Sequence, residues 1–321
     1  MEQLSPLLEI LVAHADRWCA ACLVANENEL KKSLTKAKGR FGQLHSLQIS
    51  NIGYSNPGTF SDIFQDAPNL TRIWTDDHYQ PPWSTLAALH VDVSRFTHRF
   101  FENLHKLTGL EELVINGFHI RPNVANTSLI KLPSLRMLSV DHFPPRLHIK
   151  APVLERLYLG AVRAGLPTST TLLRGVDNLK TLSFHIDIDS KHNAQVIEWT
   201  PGLDHLILSC GKDLMSLEAF GSLLQSLASH STAYSLTKIS VGDPALLYPG
   251  PSISIMHVLS TVIKSWEKHQ FPKLRFVSVH INDDHSEVIA SAIAALMRVG
   301  ADKGFEIDAN SRPLSTKLQF W

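Results

Sequence analysis

The stretch LTGLEELVINGF, residues 107–118, places Leu110, Leu113 and Ile115 three and then two residues apart. Leu113 and Ile115 share one side of a pleated strand, while Glu112, Val114 and Asn116 share the other. A single such run is any half-buried strand. The same template, Leu-x-x-apolar-x-apolar, recurs from Leu44, Leu70, Leu86, Leu135, Leu154, Leu179, Leu203, Leu236 and Leu274, so ten segments carry it, with Thr75 as the one weak position. Their first leucines are 26, 16, 24, 25, 19, 25, 24, 33 and 38 residues apart. Five of these nine intervals fall within the period of about 20–29 residues that marks a leucine-rich repeat.

Five modules carry proline two residues before the first leucine: Pro68, Pro133, Pro152, Pro201 and Pro272. Proline cannot continue a helix, so each is expected to stop the preceding connection just ahead of the strand. The expected fold class is therefore an α/β leucine-rich-repeat solenoid, a horseshoe with one parallel sheet on its concave face and helices or loops on its convex face. It is read as a single domain over 1–321, with an N-terminal helical cap over 1–43, about ten repeats over 44–281 and a C-terminal cap over 282–321. A repeat array grows along one axis, so its length does not require a second domain. In the first cap, residues 4–17 read as an amphipathic helix with Leu4, Leu7, Leu8, Leu11 and Val12 on one face, residues 18–25 as a strand, and 26–39 as a second helix. Gly304 and the FEID run that follows read as a last short strand.

With 30 basic and 30 acidic side chains, the chain generates no global field toward nucleic acid or an anionic membrane, and neither is expected as a partner. Its three cysteines cannot all pair. Cys19 and Cys22 form a C-x-x-C, but no second cysteine or histidine pair stands at zinc spacing. Neither a signal peptide nor a membrane span is legible in the first residues, where the apolar run breaks at His14 and Asp16. Reduced cytoplasm or nucleus is the expected compartment.

These modules with irregular connections, their proline-led starts and the opening helix followed by HADRWCAACL resemble the repeat region of the F-box/leucine-rich-repeat proteins of mushroom-forming fungi. The resemblance implies the substrate-receptor part of a ubiquitin ligase, in which an F-box ahead of the repeats grips an adaptor. No leucine–proline opening with two further helices precedes Leu44. The adaptor is thus an expected partner only if an F-box lies outside this chain, and an F-box-less product without a ligase role is an alternative.

The leucine positions point into the core, so the residues between them line the concave face. The middle row then presents Trp74, His90, Val114, Tyr158 and Ile207, with the two aliphatics exposed, and the next row Asp76, Asp92, Asn116 and Asp141. Large aromatics with a polar handle suit a protein interface, and the carboxylates suit a basic segment. The expected function is non-catalytic protein–protein recognition at these eight residues other than Ile207, with no cofactor and no metal. The competing reading is a metal-dependent or acid–base enzyme near residues 185–192, where FHIDIDSKH gathers His185, Asp187, Asp189 and His192.

Overall fold

A computed structural model describes residues 4–25, 27–51, 63–76, 84–92, 103–116, 129–140, 149–159, 176–186, 200, 202–210, 223, 235–242, 273–280, 298 and 306–310. The fold is α/β and its strands pair in parallel. The chain divides into two compact units, Met1–Val153 and Leu154–Trp321, and each is described by itself.

The first unit opens with helix α1 (Leu4–Ala13), a single 3-10 turn (Ala15–Arg17), strand β1 (Ala20–Ala25) and helix α2 (Glu27–Thr35). Strands β2 (Ser46–Asn51), β3 (Arg72–Asp76), β4 (Ala88–Asp92), β5 (Glu112–Asn116), β6 (Ile130–Lys131), β7 (Met137–Val140) and β8 (Ile149–Lys150) follow. They form a parallel sheet in the order β1-β2-β3-β4-β5-β7 and a separate parallel pair, β6-β8. The second unit holds β9 (Arg156–Leu159), β10 (Thr181–Ile186), β11 (His205–Cys210), β12 (Lys238–Gly242), β13 (Phe276–His280) and β14 (Glu306–Asn310), parallel and in chain order.

Each motif copy supplies one strand, and the registers align their core positions. Leu47, Ile73, Leu89, Leu113 and Leu138 form one row in the first unit, and Leu157, Leu182, Leu206, Ile239 and Val277 form one in the second. None of the ten is more than 3% exposed. Thr75, the weak position of its motif, is buried as the template requires.

Two features at the strand starts explain how the copies stack. The first leucine of a motif donates its N–H to the carbonyl three residues back, as in Leu44 to Phe41, Leu70 to Ala67, Leu110 to Leu107 and Leu203 to Thr200. Pro68 and Pro133 stand at the second position of such turns, where a fixed φ is preorganised and no N–H is needed. These two prolines stand just ahead of their strands, as expected, and there they also build the turn that leads in. The turn's first residue is itself core: Phe41, Ala67, Leu107, Leu132, Val176 and Thr200 are all buried.

The second feature is a carbonyl that accepts two successive N–H groups from the next motif. His45 and Ser46 donate to Cys19, Thr71 and Arg72 to His45, and Ala87 and Ala88 to Thr71 in the first unit. Lys180 and Thr181 donate to Glu155, and Asp204 and His205 to Lys180, in the second. The backbone groups at the strand starts are thus satisfied by the neighbouring motif.

The N-terminal region departs from its sequence reading in the extent of its helices, since α1 ends at Ala13 and not 17 and α2 at Thr35 and not 39, and in the facing of α1. Val12 is buried, but Leu7 and Leu11 are 56% and 47% exposed and the neighbouring Ile10 is 61% exposed, so the leucine stripe of α1 does not face the core. Polar contacts also tie this region to the chain after α2: Lys36 Nζ donates to Glu9 at 2.7 Å, and Arg40 donates to Asp16 at 2.9 Å and to the Ala13 carbonyl at 2.6 Å. The hydrogen bond and charge of Lys36 hold the exposed Glu9 carboxyl below its ordinary value. Gly39, four residues past the end of α2, takes a left-handed φ of 79° as the third residue of the turn that Arg40 closes by donating to the Ala37 carbonyl. The strand predicted from FEID is present as β14, paired with β13. The helical spacings at Phe96, Leu217, Met256 and Ile289 lie outside the described residues.

Candidate functional site

On the side of the sheet away from the leucine row, β3, β4 and β5 bring four of the candidate residues together. The register sets Trp74 beside His90 and Asp92 beside Asn116, and His90 and Asp92 are two apart on one strand. The indole of Trp74 stacks on the imidazole of His90, with ring centres 4.1 Å apart and planes at 8°. Trp74 also donates its Nε1–H to Asp92 Oδ2 at 3.2 Å. Asn116 Nδ2 donates to Asp92 Oδ1 at 2.8 Å and lies 2.6 Å from His90 Nε2, so one amide bridges carboxylate and imidazole. His90 Nε2 is 3.5 Å from Asp92 Oδ1.

The electrostatics follow from this crowding. Burial, the largest single influence, pulls the Asp92 carboxyl upward, but the contacts from His90, Asn116 and Trp74 together outweigh it and hold the group below its ordinary value. The Asp92 side chain is still 51% exposed, so a restrained carboxylate faces solvent next to a stacked indole. A depressed folded pKa means that the carboxylate's stabilisation is fully present above its unfolded value of about 3.9 and is lost as the pH falls through the lower folded value. In an NMR titration, the carboxyl carbon of Asp92 is expected to move below the ordinary range, and Asn116→Ala is expected to raise its midpoint. A midpoint at or above the ordinary value in the unaltered chain would show that the cluster does not form in solution.

The other candidates fall elsewhere. Asp76 is in β3 opposite Asp92, but its side chain lies outside the described residues, as does the whole of Asp141. Tyr158 belongs to the second unit, on β9, where burial pushes its phenol up and Arg156 opposes this. The exposure expected of two middle-row aliphatics is corrected: Val114 is 2% and Ile207 9% exposed. His90 and Ser139 in the same row are also buried. Strands lie about 4.8 Å apart, so a short side chain such as Val114 is flanked closely by its row neighbours His90 and Ser139. Parallel sheets, moreover, tend to be covered on both faces. The accessible part of this face is displaced toward β1, where Cys22 and Val24 are exposed, and toward Asp92 and Asn116.

One contact was not legible from spacing: His205 Nε2 and Ser240 Oγ are 2.8 Å apart across β11 and β12. This is the distance of a nucleophile from its base. The serine is 1% exposed, however, which closes it to a substrate carbonyl. Residues 187–192 of the competing enzyme reading, and the side chain of His185, lie outside the described residues. Among the described residues no group of three histidine, cysteine or acidic side chains is placed to hold a metal ion. Cys19 and Cys22 are both free and exposed. With Ala20 and Ala21 extended in β1, about 3.3 Å per residue sets their Cα atoms about 10 Å apart, beyond disulfide reach. No helix among the described residues is long and apolar enough to cross a membrane.

No protein-family model matches the chain, and comparison with curated proteins finds no match.

Proposed function

We propose that the chain is a leucine-rich-repeat solenoid of horseshoe form that acts as a non-catalytic protein-recognition module in the cytoplasm or nucleus. Its partner docks on the first unit at the surface containing Trp74, Asp92 and Asn116. The observation that carries this reading is the cluster itself: an indole fixed by stacking on His90 and by its bond to Asp92, at the edge of an accessible carboxylate. Rigid aromatic anchors lose little conformational freedom on binding, and they are enriched where interface energy concentrates. The motifs, aligned in register within each unit, support the solenoid, and the resemblance to mushroom-type F-box/leucine-rich-repeat proteins adds a role as substrate receptor of a ubiquitin ligase when an F-box is supplied from outside this chain.

Partners captured by cross-linking are to be compared on the unaltered chain and two variants. Trp74→Ala is expected to speed dissociation and cost about 2 kcal/mol, close to thirtyfold in affinity. Asp92→Asn is expected to slow association and flatten its salt dependence, because an exposed charge acts mainly on encounter. Partners that bind all three forms equally would place recognition on another surface.

A further inference from the structure

Beside Trp74 the strand register lays out a row of residues in which the exposed Val24 and Asp92 dictate the kind of segment able to lie there. Val24 pairs with Ser50, Asp76 with Asp92 and Asp92 with Asn116; β2 and β3 pair as far as Gln48–Trp74, and carrying that register two residues on sets Ser50 against Asp76. The row therefore crosses β1 to β5 as Val24, Ser50, Asp76, Asp92 and Asn116, with two carboxylate residues and no lysine or arginine. Its two ends differ in chemistry. Val24 is an apolar side chain 53% exposed, and Asp92 is a carboxylate 51% exposed, whose two oxygens are oriented by Asn116 and Trp74.

Val24 and Asp92 are separated by three strand spacings of about 4.8 Å each, or about 14 Å. Four steps of an extended chain cover about 13–14 Å, and residues an even number apart point to the same side of it. Three steps would turn one of the two side chains away from the sheet, two would fall short at about 7 Å, and six would overshoot at about 20 Å.

We infer that this row binds an extended segment of another protein that carries an apolar residue and, four residues away, an arginine or lysine, the apolar side chain resting on Val24 and the cation on Asp92. The row sets the spacing, not the direction of the chain. The cation's aliphatic stem lies beside the Trp74 indole, whose apolar ring covers it. The inference rests on the recognition reading given above and adds the chemistry and register of the partner.

Its test uses the whole chain and synthetic dodecapeptides of glycine, serine and asparagine that hold one leucine and one arginine at separations of two, three, four or six, in both orders, with a terminal fluorophore for anisotropy. The separation of four is expected to bind at least about tenfold more tightly than three or six, in one order or the other. Val24→Ser is expected to abolish the advantage of leucine over serine in the peptide while keeping that of arginine over glutamine, and Asp92→Asn to do the reverse. Both changes are at exposed positions, so each variant checks the other. Equal affinity at all separations, or unchanged arginine preference in Asp92→Asn, overturns the inference. Failure of every peptide also overturns it. If Trp74→Ala nevertheless releases cross-linked partners, the recognition reading survives, whereas failure of both removes the two together.

Discussion

Phe41→Ala is expected to lower stability by about 3–5 kcal/mol, the range for emptying a fully buried phenylalanine site. Phe41 is 0% exposed and sits between two other rings, with Trp18 at 5.8 Å and Phe64 at 4.6 Å between centres. These three rings join the 3-10 turn region, the turn ahead of β2 and the segment leading to β3, so the ring ties the cap to the first two motifs. Its carbonyl also closes the turn that starts β2, by accepting from Leu44 at 3.2 Å. That bond is backbone and survives the substitution; the loss is therefore a packing loss, from dispersion contacts and apolar burial. Urea unfolding should show a lower midpoint with an unchanged slope. A change below about 1 kcal/mol would mean that the rings do not form a common core, since even modest cavity mutants exceed it. Leu7→Ala, on the exposed stripe of α1, is the matched contrast and should stay within about 0.5 kcal/mol.

Leu157→Ala in the second unit is expected to cost about 2–5 kcal/mol. Leu157 is 0% exposed, pairs with Leu182 and starts a row of core residues that continues through Leu206. The spread in the expected cost reflects how far neighbours can collapse into the cavity. Here both flanks resist collapse, because Leu154 just ahead of β9 and Leu159 at its end are themselves buried, and the Glu155 carbonyl ties the start of the strand to the next motif by accepting from Lys180 and Thr181. Tyr158, between Leu157 and Leu159 but on the other side of the sheet and only partly covered, separates packing from simple loss of size. Tyr158→Ala removes more atoms, yet it should cost less than Leu157→Ala. The opposite order in thermal or denaturant unfolding would reverse the assignment of faces on β9.

The positions of the strands were legible from the sequence because the signal was short in range and repeated. A period of two within each motif assigns Leu113 and Ile115 to one side of the chain, and ten copies make chance agreement unlikely in any register but one. The buried row of leucines, isoleucines and a valine and the burial of Thr75 followed from that alone, whereas the last strand at Glu306–Asn310 was read from Gly304 and the FEID run. The pair β6-β8 also had a signal that a search on leucines passes over. IKLPSL from Ile130 and IKAPVL from Ile149 repeat each other, and the isoleucine and lysine of each form the two-residue strand.

Other features depend on what stands opposite a residue, and no pattern along one chain contains that. The stripe on α1 has helical spacing, but which of its residues are covered depends on chain that lies further on in the sequence, where Lys36 and Arg40 meet Glu9 and Asp16 across 27 and 24 residues. Likewise Val114 and Trp74 occupy equivalent places in their motifs, yet one is buried and the other remains partly exposed, because exposure on this face is set by the bulk of row neighbours on other strands. Alternation determined by itself which residues leave the leucine core. Only the tertiary structure decided that Trp74, His90, Asp92 and Asn116 form one bonded cluster, because stacking and hydrogen bonding act over a few ångströms in space between residues that the chain separates by as many as 42 positions, the difference between 116 and 74.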